Sequence, residues 1–354
     1  MARALRLAER GRYSAHPNPV VGCVLVKQGE IVGEGWHQVA GAAHAEINAL
    51  QAAGDHARGA TAYVTLEPCS HQGKTPPCSI ALIEAGVEKV VAAMQDPNPA
   101  VAGNGLRSLQ EAGIAVQCGL MQSSAEALNP GFLKRMRVMR PYVRLKLAAS
   151  LDGATAMLNG ESQWITGPEA RADVQRLRAR SGAVMTGIGT VLADDPSLTV
   201  RAPDIASHGK QPLRVVLDSK LRMPRAAGML TLPGKTLICC AGNVDSKGLL
   251  VANTEVLSFG ADGDGVDVDK VLQELAARDI NEVLVEAGPT LAGVLLQNGF
   301  VDELVIYQAA QVMGSQTRKL VDTPTWTSLA DRKYLNVTDV RRIGDDTRIT
   351  AVLS

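Results

Sequence analysis

The chain has 354 residues, with 36 Lys and Arg against 36 Asp and Glu, so its formal net charge is zero. That balance argues against a dedicated nucleic-acid or membrane-surface binder, which carries a basic excess. With 46% hydrophobic and 20% charged residues the composition is globular, and at roughly 150 residues per domain the length predicts about two domains.

The opening MARALRLAERG lacks the apolar run of an export signal, and no window approaches the roughly 18 apolar residues of a membrane span. Six cysteines without an export signal point to reduced thiols or metal ligands, and a cytoplasmic protein is expected. In chain order, the first segment predicts strands at Val20 to Val26, Ala62 to Leu66, Lys89 to Ala93 and Ile114 to Gln117. Helical patterns fall between them, at Ala45 to Ala53, Ser79 to Ala85 and Leu106 to Ala112. This alternation is that of an α/β sheet covered by helices.

A basic run, Lys134, Arg135, Arg137 and Arg140, ends at Pro141, and a domain boundary is expected there, giving domains 1–140 and 141–354. The first holds 13 basic and 11 acidic residues and the second 23 and 25, so neither resembles a polyanion-binding module. The second segment predicts strands at Tyr142 to Ala149, 183–187, 214–219, 236–240 and 282–288. Helices are expected from Pro168 to Arg180 and near 269–278 and 290–298, again an α/β pattern. The glycine-rich stretch from Gly260 to Asp269 reads as a flexible acidic loop.

His44-Ala45-Glu46 opens a helical stretch, and Pro68-Cys69 and Pro76-Pro77-Cys78 follow. One His and two Cys suit zinc, and three protein ligands leave a fourth position for water, the mark of a catalytic site. Cys78 follows two prolines at a helix start, where exposed N–H groups favour a thiolate. Glu46 stands roughly 200° around the helix from His44, so it is read as a proton carrier and not a fourth ligand. Together these residues predict hydrolytic deamination. The zinc deaminase pattern pairs His-x-Glu with Pro-Cys-x-x-Cys, but here eight residues separate the cysteines. That insertion carries His71 and Lys74, suited with His37 to an anionic group such as phosphate. Read separately, Cys69 and Cys78 could equally be buried thiols and His44 a core histidine. Cys23, Cys118, Cys239 and Cys240 lie in apolar runs and read as buried, inert thiols.

His16-Pro-Asn-Pro19, Thr65-Leu-Glu-Pro-Cys69-Ser-His71, Thr75-Pro-Pro-Cys78 and Asp96-Pro-Asn-Pro99 together resemble the bifunctional riboflavin-biosynthesis deaminase/reductase family. The resemblance covers essentially the whole chain. It implies a cytidine-deaminase-like α/β/α domain followed by a dihydrofolate-reductase-like α/β domain. It further implies that the first deaminates 2,5-diamino-6-(5-phosphoribosylamino)pyrimidin-4(3H)-one with zinc held by His44, Cys69 and Cys78. Glu46 would move protons, Asn18 would hold the pyrimidine, and His37, His71 and Lys74 would face the ribose phosphate.

In the second half, Gly187-Ile188-Gly189 lacks the third glycine of a dinucleotide fingerprint. The strand running into Gly288-Pro289-Thr290 and a helix offers backbone N–H groups to an anion, although an ordinary strand-to-helix turn explains it equally well. Here the resemblance is carried by Lys146 to Gly153, Glu161 to Thr166, Thr190 to Arg201 and Glu286 to Thr290. It implies reduction of the ribosyl group of 5-amino-6-(5-phosphoribosylamino)uracil by NADPH. Lys146, Asp152, Ser162, Arg178, Leu198, Arg201 and Glu286 would then meet substrate, with Arg178 and Arg201 on the phosphate. Ala148, Trp164, Thr190, Asp194, Ser219, Gly288, Pro289, Thr290, Leu291, Ala292, Gly293 and Val294 would line the cofactor cleft. The resemblance also suggests a homodimer. Two other readings stay open: a nucleic-acid base deaminase with a binding module, and a zinc-stabilised scaffold without activity. The neutral second half and 3% aromatic content argue against the first, and Glu46 argues against the second.

Overall fold

The structure is a computed structural model that describes residues 1–70, 76–99, 101–202, 204–205, 209–242, 253–260 and 265–353. The chain divides into two compact units, Met1–Arg140 and Pro141–Ser354.

The first unit begins with α1 (Ala2–Ala8), then β1 (Gly22–Lys27), β2 (Glu30–Trp36), α2 (Ala45–Ala53), β3 (Thr61–Val64) and α3 (Cys78–Glu84). It continues with β4 (Lys89–Ala92), α4 (Asn104–Glu111), β5 (Ala115–Cys118), α5 (Gln122–Leu128) and α6 (Pro130–Val138). Among the described residues these strands order as β2-β1-β3-β4-β5, antiparallel at β2-β1-β3 and parallel from β3 to β5. Small side chains let helices lie close on one face, where Ala45, Ala49 and Ala53 of α2 pack with Leu82, Leu109, Cys23 and Val90. Gly35 makes that approach possible, since a Cβ there would stand 2.4 Å from the Ala45 carbonyl oxygen. The other face is covered by α1, α5 and α6 through Leu5, Ala125, Phe132 and Leu133, completing an α/β/α sandwich. Lys134, Arg135 and Arg137 of the basic run lie in α6, where Arg135 is buried.

The second unit contains β6 (Tyr142–Ala149), β7 (Ala154–Met157), α7 (Pro168–Arg180), β8 (Ala183–Gly187), α8 (Ile188–Asp194), β9 (Leu213–Leu217), β10 (Thr236–Cys240) and β11 (Thr254–Ser258). Then follow α9 (Val268–Ala277), β12 (Glu282–Glu286), α10 (Pro289–Gln297), β13 (Glu303–Gln308), β14 (Thr317–Lys319), β15 (Leu335–Ile343) and β16 (Asp346–Leu353). Its main sheet, among the described residues, runs β11-β10-β9-β8-β12-β6-β13-β16-β15. All neighbours are parallel up to β13, and β13-β16-β15 is antiparallel. Near-continuous apolar runs such as VLV in β12 reflect burial on both faces. Val143, Leu145, Val283 and Val285 meet α9 and α10 on one face. Val184, Val216, Leu284 and Tyr307 meet α7 and α8 on the other. The sequence reading omitted β2 in the first unit and β7, β11, β13, β14, β15 and β16 in the second. β15 is exposed along most of its length, so it lacks the apolar run of a buried strand and the alternation of a half-buried one. The acidic loop is also more ordered than expected at its end, since Asp267 caps α9 by accepting from the Lys270 N–H.

Candidate active sites

In the first unit, His44 is the N-cap residue of α2 and Cys78 the first residue of α3. Asn48 ties α2 to β2 by donating from Nδ2 to the Trp36 carbonyl at 2.9 Å. The one nitrogen and two sulfur donors of His44, Cys69 and Cys78 lie within 4.8 Å of one another. His44 Nδ1 stands 3.2 Å from Cys78 Sγ and 3.6 Å from Cys69 Sγ. A tetrahedral zinc separates nitrogen and sulfur ligands by about 3.6 Å, so this donor set fits the ion with little adjustment. The helix-start N–H favours the other thiolate than expected: the Cys78 N–H points at Cys69 Sγ, 3.3 Å away. A hydrogen bond from the Cys78 thiol, opposed by burial and helped by His44, holds Cys69 down at about 4, while Cys78 is pushed up.

Glu46 is 3% exposed, and burial pushes its carboxyl up to about 7, which equips it to gain and lose a proton near neutrality. His37 is 2% exposed and meets the His44 ring edge-on, 5.4 Å between centroids. Its Nδ1 lies 3.2 Å from the Ala43 carbonyl, which can only accept, so Nδ1 carries the hydrogen. Nε2 therefore accepts from Asn18 Nδ2 at 3.0 Å, leaving the Asn18 carbonyl oxygen for another partner.

In the second unit the C-terminal ends of parallel strands form a continuous rim. Ser219 follows β9, Thr190 follows β8, Gly288 and Thr290 follow β12, and Ala148 lies near the end of β6. Such an edge is where open α/β sheets bind ligands. Lys146 and Glu286 are register neighbours on β6 and β12. Arg178 of α7 grips Glu286 with Nε at 2.5 Å and Nη2 at 2.9 Å, and its Nη1 donates to the Thr199 carbonyl at 3.1 Å. Burial alone would raise Glu286, but Arg178, Lys146 and Arg201 together hold it below the usual carboxylate range. Arg201 is exposed, anchored by its backbone N–H to Gln175 Oε1 at 2.9 Å.

The RibD C-terminal domain model matches residues 141–349, and the cytidine and deoxycytidylate deaminase zinc-binding region matches residues 1–94. The riboflavin biosynthesis protein RibD of Escherichia coli (strain K12) is 53% identical over 355 residues, spanning 98% of this chain and 96% of its own. The chain belongs to the RibD family. The RibD of Haemophilus influenzae is 48% identical, over 99% of this chain and 95% of its own. Two solved structures extend the likeness to the fold. Acinetobacter baumannii RibD, form 1, has a TM-score of 0.93 at 44% identity, covering all of this chain and 97% of that one. A Thermotoga maritima diaminohydroxyphosphoribosylaminopyrimidine deaminase/5-amino-6-(5-phosphoribosylamino)uracil reductase has 0.87 at 32%, with the same coverage. This chain is therefore a bifunctional riboflavin-biosynthesis deaminase and reductase with a cytidine-deaminase-like first fold, using zinc in one reaction and NADPH in the other.

Several residues do something other than the RibD resemblance implies. His37 does not offer a ring nitrogen to a phosphate: both nitrogens are engaged, and it orients Asn18. Arg178 spends three of its five N–H donors on Glu286 and the Thr199 carbonyl, leaving one on each of Nη1 and Nη2. Asp152 accepts from Ser150 Oγ and from the Met313 and Gly314 N–H groups, so it pins the loop after β13. The Ser150 hydroxyl and those two N–H groups hold its carboxyl down at about 2. Leu198 is 2% exposed in the core under α7, leaving only its backbone to meet a ligand. Ala292 is wholly buried in the core beneath α10. Gly293 serves packing, since a Cβ there would fall 1.8 Å from the Asp322 carbonyl oxygen. Cys118 is exposed, unlike Cys23, Cys239 and Cys240.

Gly288, Thr290, Val294, Asp194 and Trp164 are exposed, and Ala148, Ser162, Thr190, Ser219, Pro289 and Leu291 are partly so. Trp164 stacks under the Arg171 guanidinium, 4.6 Å from the ring centroid, and Asp194 Oδ1 accepts from Gln163 at 3.5 Å. His71 and Lys74 lie outside the described residues.

One functional residue escaped the sequence reading. Glu67, two residues before Cys69, is 3% exposed and accepts from the N–H groups of Asp96, Gly103, Gly105 and Leu106. It thereby fixes the Asp96-Pro-Asn-Pro99 loop and the start of α4 beside the metal ligands. Its place inside the Thr65 to Cys69 motif was the available signal.

Proposed function

We propose that residues 1–140 deaminate the diaminopyrimidinone ribotide and residues 141–354 reduce the ribosyl group of the resulting uracil, the pair of activities for which the Thermotoga protein is named. His44, Cys69 and Cys78 would hold zinc, which when bound supplies Lewis acidity and lowers the pKa of water. Glu46 would take one proton from the attacking water and deliver it to the ring nitrogen, then take the second proton from that oxygen and give it to the leaving amino group, which departs as ammonia. Asn18, steadied by His37, offers its carbonyl oxygen to an exocyclic amino group of the pyrimidine. The observation that carries this reading is the buried Glu46 carboxyl beside the His44, Cys69 and Cys78 donor atoms, which lie within 4.8 Å of one another.

In the second unit NADPH, when bound, supplies a hydride to C1 of the ring-opened ribose. Thr190, Ser219 and Gly288 to Leu291 would line its cleft on the strand-end rim, with Ala148, Trp164, Asp194 and Val294 alongside. Lys146 and Glu286 would face the ribosyl group with Ser162. Arg201, exposed at the same edge, suits the phosphate. His71 and Lys74 remain assigned to the phosphate of the first reaction.

A homodimer built on β15 belongs to the same reading. Among the described residues this strand ends the sheet, and it exposes Leu335, Val337 and Val340. Sedimentation of Val337→Lys against the parent chain tests it, and an unchanged dimer removes β15 from the interface. The cytoplasm suits a site whose Cys69 and Cys78 must stay reduced.

The whole reading is tested by adding the diaminopyrimidinone ribotide and NADPH to zinc-loaded protein, with absorbance and ammonia followed together. Ammonia release followed by NADPH oxidation is expected. Ammonia without oxidation rejects the second assignment, and neither signal from folded, metal-loaded protein rejects both.

A further inference from the structure

Lys146 reaches the strand-end rim without a hydrogen-bond or ion-pair partner among the described residues. Its ammonium stands over an aromatic face: Nζ lies 5.8 Å from the centroid of the Tyr307 ring. The ring is wholly buried, and its place is set by two further groups. Tyr307 donates its hydroxyl to Asp173 Oδ2 at 2.7 Å, and the same oxygen accepts from Arg348 Nη1 at 2.7 Å. Arg348 in turn reaches Asp339 Oδ2 at 3.2 Å. A chain of three strands and one helix thus fixes a phenol ring under a flexible ammonium: β15 and β16 through Asp339 and Arg348, α7 through Asp173, and β13 through Tyr307.

We propose that Tyr307 is a positioning residue of the reductase, whose ring face holds the Lys146 ammonium at the reacting end of β6 while Asp173 and Arg348 lock the ring through its hydroxyl. This rests on the reading that Lys146 meets the substrate. Lysine is a compact charge on a long stem, and a buried aromatic face restrains it without consuming its donors. All three ammonium hydrogens stay available to the ribosyl oxygens or nitrogen. An acidic partner in contact would occupy them, and Glu286 is instead occupied by Arg178.

The charged groups facing Lys146 are Glu286 from β12 and Arg178 from α7. Burial presses the ammonium towards its neutral form and Arg178 adds to that, while Glu286 and the electron-rich ring face oppose it. Loss of the ring face should therefore lower the pH at which Lys146 loses its proton.

The test measures NADPH oxidation on the deaminated substrate, with ammonia release by the same chains as the control for folding. Tyr307→Leu should lower kcat of reduction about tenfold with deamination unchanged. It should also move the alkaline limb of kcat/KM down by about half to one pH unit. Tyr307→Phe keeps the face and should restore most of the rate. A ring-fluorinated phenylalanine at 307 keeps the shape but weakens the face, so the limb should move down again even if the leucine variant folds poorly.

Lys146→Met separates the two readings. If it abolishes reduction while the limb stays fixed in the leucine and fluorinated variants, Lys146 keeps its role and the positioning by Tyr307 is overturned. If Lys146→Met reduces normally, both fall.

Discussion

The two sites are built in opposite ways. The deaminase site is a convergence of side chains whose chemistry admits few substitutes: an imidazole, two thiols and a buried carboxyl, with Nδ1 and both sulfurs within 4.8 Å. The reductase cleft is a rim of strand ends and a helix start, where backbone groups and small residues do most of the lining. Its charged residues spend much of their capacity on one another, as in the Arg178–Glu286 fork. The difference teaches where function concentrates. In the first unit, removing one atom type removes the chemistry. In the second, most single changes should alter fit or stability before they alter the reaction.

The contrast breaks most visibly at Cys78. Cys78→Ser should eliminate bound zinc and lower deamination by about a thousandfold or more, while reduction of the uracil ribotide continues. Metal analysis and the two assays on one preparation check this. Loss of both activities would mean that the units do not work separately.

Glu46→Gln sharpens the division within the first site. Zinc content should be unchanged while kcat for deamination falls by roughly a hundred- to ten-thousandfold. Zinc loss in this variant would make Glu46 a ligand.

Arg178→Leu probes stability where the first two probe chemistry. It leaves Glu286 buried with its main partner gone, at a cost of about 3 kcal/mol to the second unit. Denaturant unfolding followed by the two tryptophans of that unit, Trp164 and Trp326, should show an earlier transition, with zinc retention by the first unit unaffected. An unshifted midpoint would mean that Lys146 and Arg201 suffice to balance Glu286.

Arg201→Ala should be the mildest. The side chain is exposed, so stability should hardly change, while KM for the uracil ribotide rises about tenfold if a phosphate contact is lost. Equal damage to deamination would contradict its place at the reductase edge.

Much of the deaminase site was legible because each residue type carries its own chemical signature. His44, Glu46, Cys69 and Cys78 stand in recognisable spacing, and α2 begins at Ala45 as its pattern predicts. Less was legible in the reductase, where β6 and α7 match their predicted bounds but Glu286, which Arg178 grips, lies 108 residues from it and Met313, whose N–H Asp152 accepts, lies 161. An arginine in a helix reads as a solvated charge until the strand bearing Glu286 is seen against it. The burial of the Leu198 and Ala292 side chains was hidden for the same reason, since a match to a motif says nothing about which way a side chain faces.

The amino-acid sequence by itself determined the class of both folds, the two-part organisation and the donor set for zinc. These follow from hydrophobic period and from the chemistry of thiol, imidazole and carboxylate, which are local properties. Only the tertiary structure decided which thiolate the α3 N–H stabilises, that His37 serves Asn18, and that Lys146 rests on Tyr307. Those outcomes depend on distances between segments far apart in the chain. Hydrogen bonds and ion pairs gain their strength within a few ångströms, so only the folded chain assigns them.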